Sequence, residues 1–584
     1  MTEFLIGREP IQIVEIQQPL CTNTFGIAPC TASAASGLEC YNTRATCQDT
    51  DNYTLGTALS LFFARGDVAA RGVSGAPYII PALVSVSTSP TKINLSAANP
   101  DAQGLGNRAL CKIRLQDHPH TDRKVDPYLS TRSFDPMDRG SFWTKWLVRN
   151  KYRQNVVIKV YEGYDGQALS AMNVRTYFLQ TITGPGDSGA VNIQGKDILA
   201  KIEDRKAQAP VVSPGDLYVD IDSSVTSFVV ANAITSEYSA TGTLRINDEI
   251  MTYTGVSTDT NGIEFTGVTR GTDNTTAAAH SSEDQVQECL RVTSTRVDSV
   301  LNTLLTTYGG VAVSYIDTSG WTAEADLHLN SYNLTALITE PTSVSKLVSE
   351  IQAQSLCYVW WDERTALVNL KAIRGVDSLP PLVTSETNII AGSFSLSEMP
   401  RQRVSQVWVY YNQRDFTKSE TDPASYANAY VAANLESETD ELYGEPSIRK
   451  IFARFLPTDA LALSSSSKII TRYVDTPRQC KFRMDAKDRS YWTGDIVRIS
   501  HDLDVDQFGA RNIAQWIITS AEEVVPGEIV EYTAEDATLY GRISVIVSNA
   551  TGDYVGDGTD AFDGAWITDA NGNYSNGDAG ARIN

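Results

Sequence analysis

Four of the eight cysteines in this chain fall between Cys21 and Cys47, in the stretch CTNTFGIAPCTASAASGLECYNTRATC. The other four, Cys111, Cys289, Cys357 and Cys480, are scattered singly. Thiols crowded this way can do three kinds of chemistry: pair as two disulfides, bind zinc, or hold an iron–sulfur cluster. The spacing is C-x8-C, then nine residues, then C-x6-C. Zinc ribbons and fingers use tighter knuckles of two to four intervening residues, because tight turns deliver thiolates to a tetrahedral ion. A cluster is larger and accepts ligands from an open loop, provided that the thiolates converge and backbone N–H groups reach the sulfurs. Small residues favour such a loop, and Gly26, Ala28, Ala32, Ala34, Ala35 and Gly37 supply them. The N-terminus, interrupted by Glu3, Arg8 and Glu9, does not read as a secretory signal. That predicts folding in a reducing cytoplasm, which favours metal or cluster over disulfides without removing any of the three.

Other chemistry-bearing patterns are weaker. Gly186-Asp187-Ser188-Gly189 matches the surroundings of a trypsin-like nucleophile, but its flanks read as strand, Gly-rich hairpin loop and strand. Asp117, His118, His120 and Asp122 could ligate a divalent ion, yet a Pro-containing loop of this kind reads more simply as a solvated turn. Trp360 and Trp361 alternate across a strand and read as core and interface rather than a sugar platform. The acidic ESETDELYGEP reads as a solvated loop, and DANGNYSNGD lacks the closing Glu of a calcium loop.

The elements that must position these groups are mostly strands. NVVIKVYEGY, TYFLQTI, AVNIQGKDILAKIED, RVSQVWVYYNQ, CKFRMDA and DIVRISH are rich in β-branched and aromatic residues with partial alternation. Three helices are predicted: RVDSVLNTLLTTYG, stopping at Gly309; TSVSKLVSEIQAQSL, opened by Pro341 and Thr342; and PTDALALSSSSKIITRYVD. The fold class is therefore mainly β and multidomain, β plus α/β. The expected divisions are a four-cysteine domain at 1–75, a first β domain at 76–212, a small all-β insertion at 213–290, a mixed α/β domain at 291–375, a second β domain at 376–545 and a Gly/Asp/Asn-rich tail at 546–584. In the insertion, Ile246, Ile250 and Tyr253 are expected to point inward. With 48 basic against 70 acidic side chains the net charge is −22, which opposes general binding to nucleic acid phosphates. No apolar run is long enough for a transmembrane helix, and no G-x-G-x-x-G turn supports a dinucleotide-dependent redox enzyme.

The stretch IVEIQQPLCTNTFGIAPC…LECYNTRATC, with its apolar strand before the first Cys and a Pro before the second, resembles the iron–sulfur domain of lambdoid phage tail-tip proteins. Tail proteins of gene transfer agents share the four cysteines. The resemblance spans about 60 residues, from Ile13 to LSLFFAR. It implies a 4Fe–4S cluster whose iron is held by Cys21, Cys30, Cys40 and Cys47. By the order and texture of its β domains, the rest is similar to tail hub proteins of long-tailed phages. That implies two barrel-like β domains and a homotrimeric ring continuing or capping the tail tube. It further implies a distal tail ring and tip or fibre proteins as partners, DNA passing without sequence-specific binding, a place in the virion tail tip or baseplate, and no enzymatic activity. A carbohydrate-binding adhesin, using the 213–290 module and the tail, is the alternative.

Overall fold

The structure, a computed structural model, describes residues 9–33, 37–56, 58–95, 105–374, 380–488 and 490–537, with the two short strands Trp566–Ile567 and Ala581–Arg582. Residues 1–538 and 539–584 form separate compact units. The expected Gly/Asp/Asn-rich tail and its calcium-like stretch lie outside the described residues, those two strands aside.

The first unit begins with an eight-stranded sheet. Its strands are β1 (Pro10–Gln18), β2 (Leu59–Phe63), β3 (Ile79–Ile80), β4 (Leu83–Ser89), β5 (Leu110–Gln116), β6 (Val157–Tyr164), β7 (Asn173–Thr183) and β8 (Ala190–Lys196). They run in the order β3-β2-β1-β6-β7-β8-β5-β4, antiparallel except for β2–β3. Period-two alternation sets the inner face: Cys111, Ile113 and Leu115 of β5 and Ile158 and Val160 of β6 are buried. β1 is covered on both sides. Val14 and Ile16 join the main core, while Ile11 and Ile13 join a second cluster with Phe62, Leu169 and Met172. GPGDSG is the β7–β8 hairpin loop, as its flanks predict.

Residues 216–288 carry two small sheets, one of four strands and one of three, with Ile246, Ile250 and Tyr253 buried. The helices Val297–Thr303, running on as a π turn through Leu304–Tyr308, and Val344–Ser355 pack into the main core with the hairpin Cys357–Asp362/Leu367–Ala372. The second helix starts at Ser343, whose side chain accepts from Lys346 N, rather than at Pro341 or Thr342. Trp360 and Trp361 are both buried, so neither is a surface platform.

The C-terminal part of this unit holds two sheets. In the three-stranded one, Gln406–Gln413 lies between Tyr426–Ala433 and Ile448–Ala453, with the helix Asp459–Tyr473 against it. The six-stranded one runs from Leu382–Thr384 through Ile496–Val505, Arg511–Val525, Ile529–Asp536 and Arg478–Asp485 to Ser395–Glu398. Its core is built on Phe482, Trp516 and Tyr532. Neither large sheet closes: among the described strands each keeps two edges, β3 and β4 in the first and Leu382–Thr384 and Ser395–Glu398 in the other. The closed barrel that the hub resemblance suggests is thus absent among the described strands.

Polar groups join the first sheet to the last. Ile93 N donates to Thr519 O at 2.8 Å, and the Tyr164 hydroxyl donates to Gly527 O at 2.5 Å. Glu162 of β6 is held by Arg175 of β7 and by Gln12 of β1, at 3.1 Å for Gln12. Burial, together with the neighbouring Glu162, raises the carboxyl of Glu523 across this boundary.

Candidate functional site

The four-cysteine segment is an excursion from the first sheet. β1 and β2 pair antiparallel up to Gln18–Leu59, and the chain between them forms the loop. Among its described residues it has a single helical turn, Arg44–Thr46. Backbone bonds fold it on itself. Cys21 N donates to Asn42 O at 2.7 Å, Thr22 N to Thr54 O at 2.9 Å, Gly56 N to Leu20 O at 2.8 Å, and Cys30 N closes a turn on Ile27 O at 2.9 Å. Asp49 gathers the second half, accepting from Thr31 N at 2.6 Å and from Asn52.

These ties bring the thiols together. The Cys21–Asn42 bond sets Cys21 beside the segment of Cys40, whose Sγ lies 3.5 Å from Asn42 Oδ1. The Thr31–Asp49 bond sets Cys30 beside the segment of Cys47, whose Sγ lies 3.1 Å from Asp49 O. Burial pushes the Cys40 thiol up, a backbone bond at Asn42 partly opposes this, and the charges of Cys47, Cys30 and Cys21 push it further up. Tyr53, also raised by burial, feels Cys21 and Cys47. Cys40 is buried, the other three are half-buried, and all four are unpaired thiols. Among the described residues no three Cys, His, Asp or Glu side chains are grouped around one point as a single metal ion requires. A tetrahedral zinc with Zn–S near 2.3 Å would draw its sulfurs to within about 4 Å of one another.

The loop is docked on the helix Phe142–Arg149 and the segment before it. That helix forms because Thr144 Oγ1 accepts from Ser141 N at 2.9 Å, Asp117 accepts from Trp143 N at 2.9 Å in the first turn, and Phe142, Trp143 and Trp146 turn to one side. Trp143 stacks on Phe63 at the end of β2, and Trp146 Nε1 donates to Gln18 Oε1 at the end of β1, at 2.8 Å. The helix thus braces both strands that carry the loop. Tyr41, next to Cys40, lies 4.2 Å from the Arg132 guanidinium and 3.9 Å from that of Arg149. Two cations that close to one ring centroid must occupy opposite faces. Arg132 makes a fork with Asp126 (2.7 and 3.0 Å) and donates to Glu39 O at 2.7 Å. Arg149 and Lys145 each reach Asp122 at 2.8 Å. Against the cost of burial, bonds from His120, Lys145 and Arg149 hold the Asp122 carboxyl well below the usual range.

This corrects two expectations about DHPHTD. The segment is not a solvated turn, since His120 and Asp122 are 5% and 1% exposed. Nor does it offer a divalent-cation site, because two cationic side chains already neutralise Asp122. Tyr41, Arg132, Arg149 and Asp126 escaped sequence reasoning. The available signal was an aromatic directly after a cluster cysteine and the unassigned pattern SFWTKWLVR, whose three inward aromatics mark a helix.

No family of known proteins and no curated protein matches this sequence. Among solved structures, the chain aligns with one from the virion of a native gene transfer agent particle at TM-score 0.29 and 12% identity, covering 42% of this chain and 48% of that one. It aligns with the tail protein from Neisseria meningitidis MC58 at TM-score 0.36 and 10% identity, covering 78% and 98%. A third is the prophage MuSo2 43 kDa tail protein from Shewanella oneidensis, at TM-score 0.35 and 8% identity, also covering 78% and 98%. Overlaps this loose establish neither a common fold nor a common role, so the functional reading rests on the chain's own residues. No helix among the described residues is long and apolar enough to cross a membrane.

Proposed function

We propose that the chain is a structural virion protein, the hub of the tail tip or baseplate of a long-tailed phage, carrying a 4Fe–4S cluster on Cys21, Cys30, Cys40 and Cys47. The observation that carries this reading is the gathering of four unpaired thiols on one loop that is braced against the first β sheet. The donor set fits the group: thiolates alone, on a loop with little apolar core, where ligation would supply the folding free energy that packing does not. When bound, the cluster would cross-link the loop. The chain's own part is to present the thiolates and to hold the loop through Tyr41, Arg132 and Arg149. Two large open sheets flanking an α/β segment suit a protein whose work is association, and the reading includes a homotrimeric ring bearing other tail proteins and passing DNA. An acidic lumen, in keeping with the net charge of −22, would let DNA slide.

The test is anaerobic purification with a visible spectrum and counts of iron and acid-labile sulfide. A broad absorbance near roughly 400 nm with about four irons and four sulfides per chain, lost in Cys21→Ser or Cys47→Ser, is the expected result. Colourless protein containing zinc, or disulfides by thiol titration, would overturn the cluster. Images of the purified chain and its mass in solution test the ring separately, and a strict monomer at all concentrations would refute the hub.

A further inference from the structure

A second site lies far along the chain from the cysteine loop. A groove of about 490 Å³ runs between the helix Val344–Ser355 and the strand Ile448–Ala453. Lys346, Glu350, Ala353 and Gln354 line it from the helix, at the spacing of one helical face. From the strand side every residue from Ser447 to Phe452 lines it. Successive residues of a strand point to opposite faces, so an unbroken run of lining residues means that the groove follows the strand's edge. That edge is open. Ile448–Ala453 pairs in parallel with Gln406–Gln413 and with no other strand among those described. At its C-terminal end Gln354 substitutes for a neighbouring strand, donating to Phe452 O at 3.3 Å and accepting from Phe455 N at 3.0 Å.

The groove is cationic in an acidic chain. Five cationic side chains, Lys346, Arg401, Arg403, Arg449 and Lys450, line it beside two carboxylates, Glu350, which pairs with Arg454, and Glu420, which pairs with Lys346. Arg403 is 7% exposed and fixed, with Nη2 donating to Glu445 O at 2.7 Å and the guanidinium over Tyr443 at 4.2 Å. Among the described residues its buried Nη1 has no hydrogen-bond partner, which costs free energy unless an acceptor arrives. The exposed Ile448 and the buried Val404 add apolar anchors in the same groove.

We propose that this groove docks an acidic, extended segment of a partner protein, which adds as a further strand beside Ile448–Ala453 and sets its carboxylates against the cationic rim. Main-chain bonds to an open edge supply affinity, and alternate side chains supply selectivity. The cysteine chemistry plays no part in this, so the two readings stand or fall apart.

The test uses the full chain and a short labelled peptide alternating Glu with Val and Thr, followed by fluorescence anisotropy. Binding is expected, with the matching Gln peptide about tenfold weaker or worse, and with prolines at alternate positions abolishing it. Arg401→Glu with Lys450→Glu, both on exposed side chains, is expected to weaken the acidic peptide by about tenfold with unfolding unchanged. Arg403→Gln tests the buried donor in the same assay, the surface pair covering the case in which that variant fails to fold. Equal binding of the Glu and Gln peptides, no effect of the surface pair, or inorganic polyphosphate and the proline peptide competing as well as the unbroken peptide would overturn the proposal.

Discussion

Glu363 lends itself to a decisive measurement of how the domains of the first unit are held together. It follows the hairpin strand Cys357–Asp362 and is fully buried; its backbone carbonyl accepts from Thr176 N of β7 at 2.7 Å. Thr91 Oγ1 lies 3.4 Å from one carboxyl oxygen, and the other has no hydrogen-bond partner. Burial, reinforced by the charge of Asp362 and partly opposed by Arg175, raises the carboxyl to about 7. A carboxyl whose folded value lies above its unfolded one contributes stability that is fully present below the unfolded value and lost as pH rises through the folded one. The window is therefore about pH 4.5 to 7, and a shift of that size corresponds to about 3 kcal/mol at higher pH. Glu363→Gln keeps the shape and removes the titration. Urea unfolding followed by tryptophan emission, for which Trp361 is a near reporter, should show the variant gaining about 3 kcal/mol on the wild type between pH 5 and pH 9. Glu523, raised in the same direction beside Glu162, leaves a residual slope in both proteins. Parallel stability profiles for wild type and variant across that window would refute the reasoning.

Tyr41→Ala removes the ring between Arg132 and Arg149 and should cost about 1–3 kcal/mol of loop docking, read as faster proteolytic cutting between residues 21 and 58 with the sheet intact. Glu249 is buried and accepts from Arg270, at 2.7 Å to both oxygens, and from Gly271 N, Ala278 N and His280. Glu249→Ala strands the guanidinium and should destabilise the 216–288 module by about 3–5 kcal/mol, measured as a separate early unfolding step. Despite burial these bonds hold the Glu249 carboxyl down at about 2, so its contribution is present above pH 4.5 and is lost as pH falls toward 2. Asp122→Asn leaves Lys145 and Arg149 facing an uncharged group and should lower the thermal midpoint by a similar amount at low and high salt, because salt screens a buried pair little.

Strands with clean alternation, such as β6 and β8, were legible because one face is buried and the other is not, whereas ILAKIED, read as a continuation of β8, is a 3-10 helix at Ile198–Glu203 capped by Asp197. The three long helical patterns were legible for the same reason at period 3.6. The helix Phe142–Arg149 was not, because its three aromatics sit in two turns and its polar side carries just enough charge to look like loop. The cysteines marked a candidate site by type and spacing, but the groups that hold their loop gave no such signal. Tyr41, Arg132 and Arg149 are separated by roughly a hundred residues and meet only because β1, β2 and the helix converge. The membership of β1 and β2 in the first sheet was likewise invisible, since pairing of Val14 with Val160 is a fact of topology rather than of pattern.

That membership bears on how the protein fails and how it can be altered. The loop departs from Gln18 and returns at Leu59, residues that already face each other across the ladder. Closing such a gap with a shorter connection changes chain entropy by only about 1 kcal/mol, because the cost grows with the logarithm of length. The cysteine segment is therefore a cassette: it can be excised, lengthened or exchanged while the scaffold folds around the same hydrogen bonds. With the proposed cluster bound it would also be a fuse, since damage to its thiols would loosen the excursion and leave the joints between neighbouring sheets, made by other residues, in place.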